Sequence, residues 1–333
     1  MIRDSQTRAP SRCSATLGAR LNRLLHEALY GCSRNRCLAG DLRPLSALLA
    51  LVGNAIRLHA DRRRRQPLVR RSRMEFGGYR LDILVQGYPG KTRRHGGLGW
   101  STVALLRGHG RTAVVDTGGF GMRRTILEAL HRLGVQPTDV TDLLLTHLHY
   151  DHMINWPLFA GARMVVGRTE LDWAMGLPFG DPLVPELYVR DLAAHPKLVT
   201  VDEGAEVLPG ITAHLVPGHT PGHLMFLVEG RDTEPDGDLL LIQDAAKYRA
   251  ELLQRAADMT FDPAVSAASI DRIWDFWRRR PGSVLLPGHD QPMVLQAGVP
   301  VRMGRPDAAI IAIFGADIAD RTEFDLAGPA DAG

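Results

Sequence analysis

Short apolar runs punctuated by Asp, Gly, His and Pro recur through the middle of this chain. They fall at Leu81–Val85, Thr102–Leu106, Thr112–Val115, Leu143–Leu145, Ile211–Val216, Leu239–Ile242 and Val284–Leu286. Runs this short, rich in Leu and Val and bounded by turn formers, predict strands, and RGHGR at 107–111 predicts a hairpin turn between two of them. Residues 122–133 carry Ile126, Leu130 and Leu133 at helical spacing, and Gly134 is placed to cap that helix. A second helix is predicted from Asp262 as N-cap and Pro263 at the first position, with Ile270, Ile273, Trp274 and Trp277 as its core stripe and Arg278–Arg280 at its end. Two stretches, Tyr88–Gly99 and Leu177–Lys197, read as long loops, and no internal repeat is visible.

A chain of 333 residues accommodates one domain of 200–250 residues with extensions. Charge divides it. Residues 1–73 hold 16 Arg, no Lys and four acids, a net of +12; the remainder holds 24 basic and 33 acidic residues, a net of −9. A boundary near Met74 is therefore expected, giving an Arg-rich extension over 1–73, a catalytic domain over 74–296 and a tail over 297–333. Three readings of the extension stay open: a disordered segment or a start codon assigned upstream of Met74, a transit peptide, and an arm for nucleic acid or membrane surfaces. Mass analysis of the native N-terminus separates them. All three cysteines, Cys13, Cys32 and Cys37, lie in the first 37 residues, which excludes thiolate ligation further on and predicts a reducing, cytoplasmic setting. The most apolar run, Leu45–Ile56, is interrupted and shorter than the roughly 18 residues of a membrane span.

Chemistry concentrates in THLHYDH at 146–152, which sets His147, His149, Asp151 and His152 directly after a predicted strand. Imidazoles with a carboxylate among them suit zinc and similar first-row ions. Because alternate residues leaving a strand point the same way, His147 and His149 are expected to share one ion while Asp151 and His152 turn towards a second. GHTPGH adds His219 and His223, LLLIQDAAKY adds Asp244, and PGHD adds His289, each just past an apolar run. Asp116, after Ala113–Val115, is expected to support a ligand histidine from behind. His223 is expected to hydrogen-bond beside the site and not to ligate; His95, His109, His131, His195 and His214 lack such a setting. Two metals held close together lower the pKa of a bound water from about 15.7 to near 7, which points to hydrolysis without a serine or cysteine nucleophile. Asp151 and Asp244 are also placed to steer or shuttle the proton.

The motifs VDTGG, THLHYDH, PGHTPGH, QDAAK and PGHD, in this order over roughly residues 76–295, resemble the metallo-β-lactamase superfamily. The resemblance implies an α/β fold, a four-layer αββα sandwich, with two divalent metals, zinc first among Zn, Fe, Mn and Co. It assigns His147, His149 and His219 to one metal, Asp151, His152 and His289 to the other, and Asp244 to the bridge. Gln243 departs from the pattern, where the family usually has glycine. Within the superfamily, GRTELDWA at 167–174, PGHTPGH, the DAA run after Asp244, FDPAVSAASI at 261–270 and PGHD are most similar to the N-acyl homoserine lactone lactonases. That likeness implies ring opening of a lactone with an acyl tail.

In that family a tyrosine three residues past the bridging aspartate helps to bind substrate; here Lys247 holds that position and Tyr248 follows. Both are candidate catalytic residues, with Asp151. The apolar segment Pro178–Tyr188 is expected to act as a lid and, with Tyr150, Trp156 and Phe159, to line a pocket for an acyl chain; the alternative is that these residues pack the loop onto the domain. Rival readings are a glyoxalase-type thioester hydrolase, another ester or lactam hydrolase, a non-catalytic metal-binding role, and a nuclease. The last follows from LVQGYPG at 84–90 with VDTGG, which resembles vertebrate metallo-β-lactamase domain-containing proteins. The acidic body and the lack of a basic patch interleaved with aromatics argue against nucleic acid. A small-molecule substrate is expected, with no nucleic-acid or membrane partner; the apolar run Ala308–Phe314 is suited to pack on a neighbour, which allows a homodimer.

Overall fold

Strands covered on both faces send alternate side chains into two different cores, and this alternation sets the architecture. In the computed structural model, which describes residues 74–94, 96–230 and 237–328, one seven-stranded sheet contains Met74–Phe76 (β1), Tyr79–Val85 (β2), Val103–Gly108 (β3), Arg111–Val115 (β4), Asp142–Leu144 (β5), Arg163–Gly167 (β6) and Leu198–Val201 (β7), side by side in chain order. A second contains Glu206–Leu208 (β8), Ile211–Leu215 (β9), Leu224–Val228 (β10), Leu239–Gln243 (β11), Val284–Pro287 (β12), Met293–Gln296 (β13) and Val299–Arg302 (β14), also neighbours in chain order. The Arg-rich extension and the three cysteines lie outside the described residues.

Leu106, Ala113, Val115 and Leu144 of the first sheet face Phe226, Leu239 and Leu241 of the second across one core. The residues between them in sequence turn the other way. Leu105, Val114 and Leu143 pack beneath the helices Arg123–Arg132 (α1), Arg168–Gly176 (α3) and Glu186–Ala193 (α4), while Met225, Leu227, Leu240 and Ile242 pack against Pro263–Trp277 (α6). Three cores between four layers make an αββα sandwich, as the motifs imply. Two short helices, Tyr150–Met153 (α2) and Arg249–Gln254 (α5), follow the ends of β5 and β11.

Local signals act as their chemistry requires. His109 and Gly110 both have positive φ, +49° and +70°, in a two-residue hairpin turn of the kind that matches strand twist. Gly134, at φ +70°, ends α1, with the Val135 N–H donating to the Leu130 carbonyl at 3.0 Å. Asp262 caps α6 by accepting from the Ala264 and Val265 N–H groups at 3.0 Å.

Three expectations need correction. Leu177–Lys197 is not a long loop, because α4 occupies its second half and inserts Val189 and Leu192 into the core under the first sheet. Trp156 and Phe159 are 3% and 1% exposed and belong to that core, so they do not line a pocket. The tail does not begin at 297: β14 pairs with β13 and extends the second sheet, and only afterwards does a separate hairpin of Ala309–Ala312 and Thr322–Asp325 follow.

Candidate metal centre

Four strand ends meet on one rim of the sandwich. β4 delivers Asp116, β5 delivers Thr146 to His149, β11 delivers Asp244 and β12 delivers His289; in open α/β sheets the crevice beyond such carboxyl ends is where ligands bind. The loop between β9 and β10 adds His219 and His223. Asp116, fully buried at φ +55°, accepts the Thr146 N–H on one oxygen at 2.9 Å. Its other oxygen takes the Thr146 hydroxyl at 2.8 Å and the His152 Nδ1–H at 2.7 Å. Since the Thr146 hydroxyl spends its proton on Asp116, it accepts from His147 Nδ1, 3.1 Å away. Both rings are thereby fixed through Nδ1 with Nε2 turned inward, the orientation a metal ligand needs.

Those inward nitrogens have no hydrogen-bond partner. His147 Nε2, His152 Nε2 and Asp244 Oδ1 are all buried and make no hydrogen bond among the described residues, the last two facing each other. The ligating atoms of His147, His149 and His219 cluster within 4.8 Å of one another, as do those of Asp151, His152 and His289. His149 Nδ1 and His219 Nε2 are 3.0 Å apart, and His289 Nε2 is 3.4 Å from Asp151 Oδ2. Asp244 spans the two trios: Oδ2 lies 3.4 Å from both His219 Nε2 and His289 Nε2, and Oδ1 lies 3.3 Å from His152 Nε2. Two ligands of one tetrahedral zinc sit about 3.3 Å apart, given bonds of about 2.0–2.1 Å. The donor set therefore fits two cations with Asp244 between them. Asp116, His147 and His152 form a third cluster, but Asp116 is already committed to Thr146 and His152.

Electrostatics divide the trios. Burial, reinforced by neighbouring imidazoles, pushes His147 well below the usual histidine range; burial also takes His149 down to about 4 and lowers His219. These three are neutral, the form that ligates. For His152 and His289 burial acts in the same direction, but the carboxylates of Asp244 and Asp151 outweigh it and raise both, His289 to about 9. Asp244 resists burial and is held well below the carboxylate range by His289 and His152. The carboxylates around the second trio thus demand positive charge at the place a cation would occupy.

Two supports escaped the sequence reading. Glu170, buried on α3, accepts the Leu148 N–H at 2.9 Å and the Gly222 N–H at 3.1 Å, joining the two ligand loops. A glutamate in a helix reads as a surface residue; the available signal was Ala174, four positions on and also buried, which marks Glu170 as lying on the inward face. Gly288 is the other: a Cβ there would stand 1.9 Å from Asp244 Oδ1, so only glycine lets the chain pass the bridging position. Gln243, immediately before Asp244, adopts φ +43°, which explains why glycine is usual there.

His223 is fully buried and stacks on His147 with centroids 4.6 Å apart, but among the described residues neither ring nitrogen has a hydrogen-bond partner, contrary to the expected role. The Lys247 ammonium is buried and lies 3.1 Å from Glu251 Oε1, while the Lys247 carbonyl accepts the His289 N–H at 2.8 Å. The Tyr248 hydroxyl donates to Asp258 at 2.9 Å, and Lys91 from the 88–99 loop pairs with the same carboxylate. Tyr150 lies between two candidate ligand positions, 40% exposed, and its N–H donates to the Leu183 carbonyl at 2.8 Å, tying the 178–188 segment to that turn.

Residues 96–289 match the sequence model of the Metallo-beta-lactamase superfamily. The chain belongs to the metallo-beta-lactamase superfamily. Among superfamily relatives, an N-acyl homoserine lactonase of Bacillus thuringiensis is 29% identical over 166 residues, covering 50% of this chain and 62% of that protein. A metallo-beta-lactamase domain-containing protein 1 of Xenopus laevis is 31% identical over 166 residues, covering 47% and 66%. The chain thus spans less than two thirds of the length of these lactonases. AidC, a dizinc quorum-quenching lactonase, superposes with a TM-score of 0.56 at 18% identity over 69% of this chain and 96% of that one, a likeness of fold. Among the described residues no helix is long and apolar enough to cross a membrane.

Proposed function

We propose that this chain is a metal-dependent hydrolase that opens a lactone bearing an acyl chain. The observation that carries the reading is the pair of donor trios sharing Asp244, with three buried candidate ligand atoms that make no hydrogen bond among the described residues. His147, His149 and His219 would hold one divalent cation, Asp151, His152 and His289 the other, with Asp244 between them; zinc is a metal that imidazole–carboxylate sets of this kind suit. When bound, the ions supply Lewis acidity and a water acidic enough to be deprotonated near neutral pH. The protein's own groups do the rest. Asp151, whose side chain keeps 19% of its surface open, takes the proton of the attacking water and returns it to the leaving alkoxide. Lys247, with an ammonium whose three donors are not exhausted by Glu251, donates to the carbonyl or alkoxide oxygen. Tyr248 has its hydroxyl engaged by Asp258, so its part is to hold the wall beside Lys247. The partner in this reading is a small-molecule substrate.

The test is metal content plus a pH-indicator hydrolysis assay on the full chain, offering an acyl homoserine lactone, a thioester, a β-lactam and a phosphodiester. Lactone turnover at about two metals per chain, abolished in Asp151→Ala, is expected; Lys247→Met should reduce it by at least tenfold and Tyr248→Phe by less. Bound metal with turnover of another substrate only would overturn the lactone.

A further inference from the structure

Two aromatic rings stand on the His149 side of the metal centre with no part in the reading so far. Trp173, on α3, lies edge-on to His149 with centroids 6.3 Å apart, and Phe261 lies edge-on to Trp173 at the same separation. Trp173 is half-buried and backs onto the core under the first sheet. Phe261 leaves 68% of its surface exposed, and Met259, two residues earlier, 60%.

The segment carrying them is fastened to the loop that supplies His219. The Phe261 N–H donates to the His219 carbonyl at 3.4 Å, the Asp262 N–H to the Gly218 carbonyl at 2.9 Å and the Thr260 hydroxyl to the same carbonyl at 2.6 Å. Gly218 sits at φ +126°, and a Cβ on it would come within 2.4 Å of Ser266. A metal-ligand loop and an exposed aromatic segment therefore form one unit, and the rings stay in register with the reacting atoms. Phe261 has no core to join. A large ring held rigidly in water beside a polar centre gains free energy when an apolar ligand covers it.

We propose that Trp173 and Phe261 form the wall along which the aliphatic acyl chain of the substrate lies, and that they set its chain-length preference. The proposal rests on the hydrolase reading above, which already gives the substrate an acyl chain, and adds the two residues that line it and the chain they select: unbranched, uncharged and long enough to pass both rings. A fully buried methylene is worth close to fourfold in affinity; a wall that covers one side of the chain gives about twofold per methylene.

The experiment measures kcat/KM of the zinc-loaded full chain on straight-chain acyl homoserine lactones from butanoyl to decanoyl, and on p-nitrophenyl esters of the same acids. Wild type is compared with Phe261→Ala, Trp173→Phe and the tail control Phe314→Ala, with metal content recorded for each. A rise of about twofold per methylene in wild type and the control, flattened in Phe261→Ala and partly flattened in Trp173→Phe, is expected. An unchanged slope in Phe261→Ala would overturn the wall and leave the hydrolase reading intact. No turnover of either series by the loaded wild type would overturn that reading instead, and quenching of tryptophan fluorescence by butanoate and decanoate then decides the wall. Tighter binding of decanoate that is lost in Phe261→Ala supports it; equal binding of the two acids overturns it.

Discussion

Gln243 holds a backbone conformation, φ +43° and ψ −124°, that costs a side-chain-bearing residue on the order of 1–3 kcal/mol. Its side chain recovers little: Nε2 reaches the Thr102 carbonyl at 3.4 Å and Oε1 has no hydrogen-bond partner among the described residues. Gln243→Gly is expected to raise stability by about 1 kcal/mol after the entropy cost of glycine, read as the urea midpoint at constant slope; a fall in the midpoint would show that packing of the glutamine outweighs strain. Glu170 gives a pH signature. Burial raises it from the usual glutamate value to about 7 despite its hydrogen bonds. Because the folded pKa exceeds the unfolded one, the folded state keeps the proton longer, so this group's contribution is complete below about pH 4.5, declines as pH rises towards 7, and is gone above it. The change amounts to roughly 3 kcal/mol at most. Glu170→Gln should flatten the stability difference between pH 5 and pH 8 relative to wild type, which chemical denaturation at both pH values will read.

At the scale of elements, α6 was the most legible part of the chain, because its N-cap, its proline and its Ile and Trp stripe all act locally and agree. Asp262→Ala removes two hydrogen bonds to the first turn and should cost about 1 kcal/mol. No change in the midpoint would mean that packing alone holds the helix start. The helix α4 was not legible. Its Pro-rich lead-in reads as loop, and its two turns are held by Val189 and Leu192 against a core assembled from distant strands. Strands β1, β6, β7, β8, β10, β13 and β14 were likewise unseen, since each draws its order from a partner across the sheet.

For the molecule as a whole, the metal centre ties the two sheets together: His147, His149, Asp151 and His152 follow the first sheet, and His219, Asp244 and His289 the second. Cations bound there stabilise the folded state by mass action, on the order of 4 kcal/mol at a thousandfold excess over Kd. Chelation should therefore lower Tm by at least 5 °C, and zinc should restore it; an unchanged Tm with confirmed metal loss would mean that the sandwich stands independently of its site.

What the sequence determined by itself was the inventory: seven candidate ligand residues of the right chemistry, each behind an apolar run, and Asp116 behind them. These were legible because a ligand's identity and its place after a strand are local properties. Tertiary structure decided everything that depends on a partner. It grouped the histidines around Asp244, turned Glu170 inward to join two ligand loops, engaged Tyr248 with Asp258, buried Trp156 and Phe159 in the core, and left Phe261 in water beside His149. Burial and pairing are set by residues far away in sequence, so side chains of the same kind, such as Phe159 and Phe261, reach opposite ends only once the layers close over one and not the other.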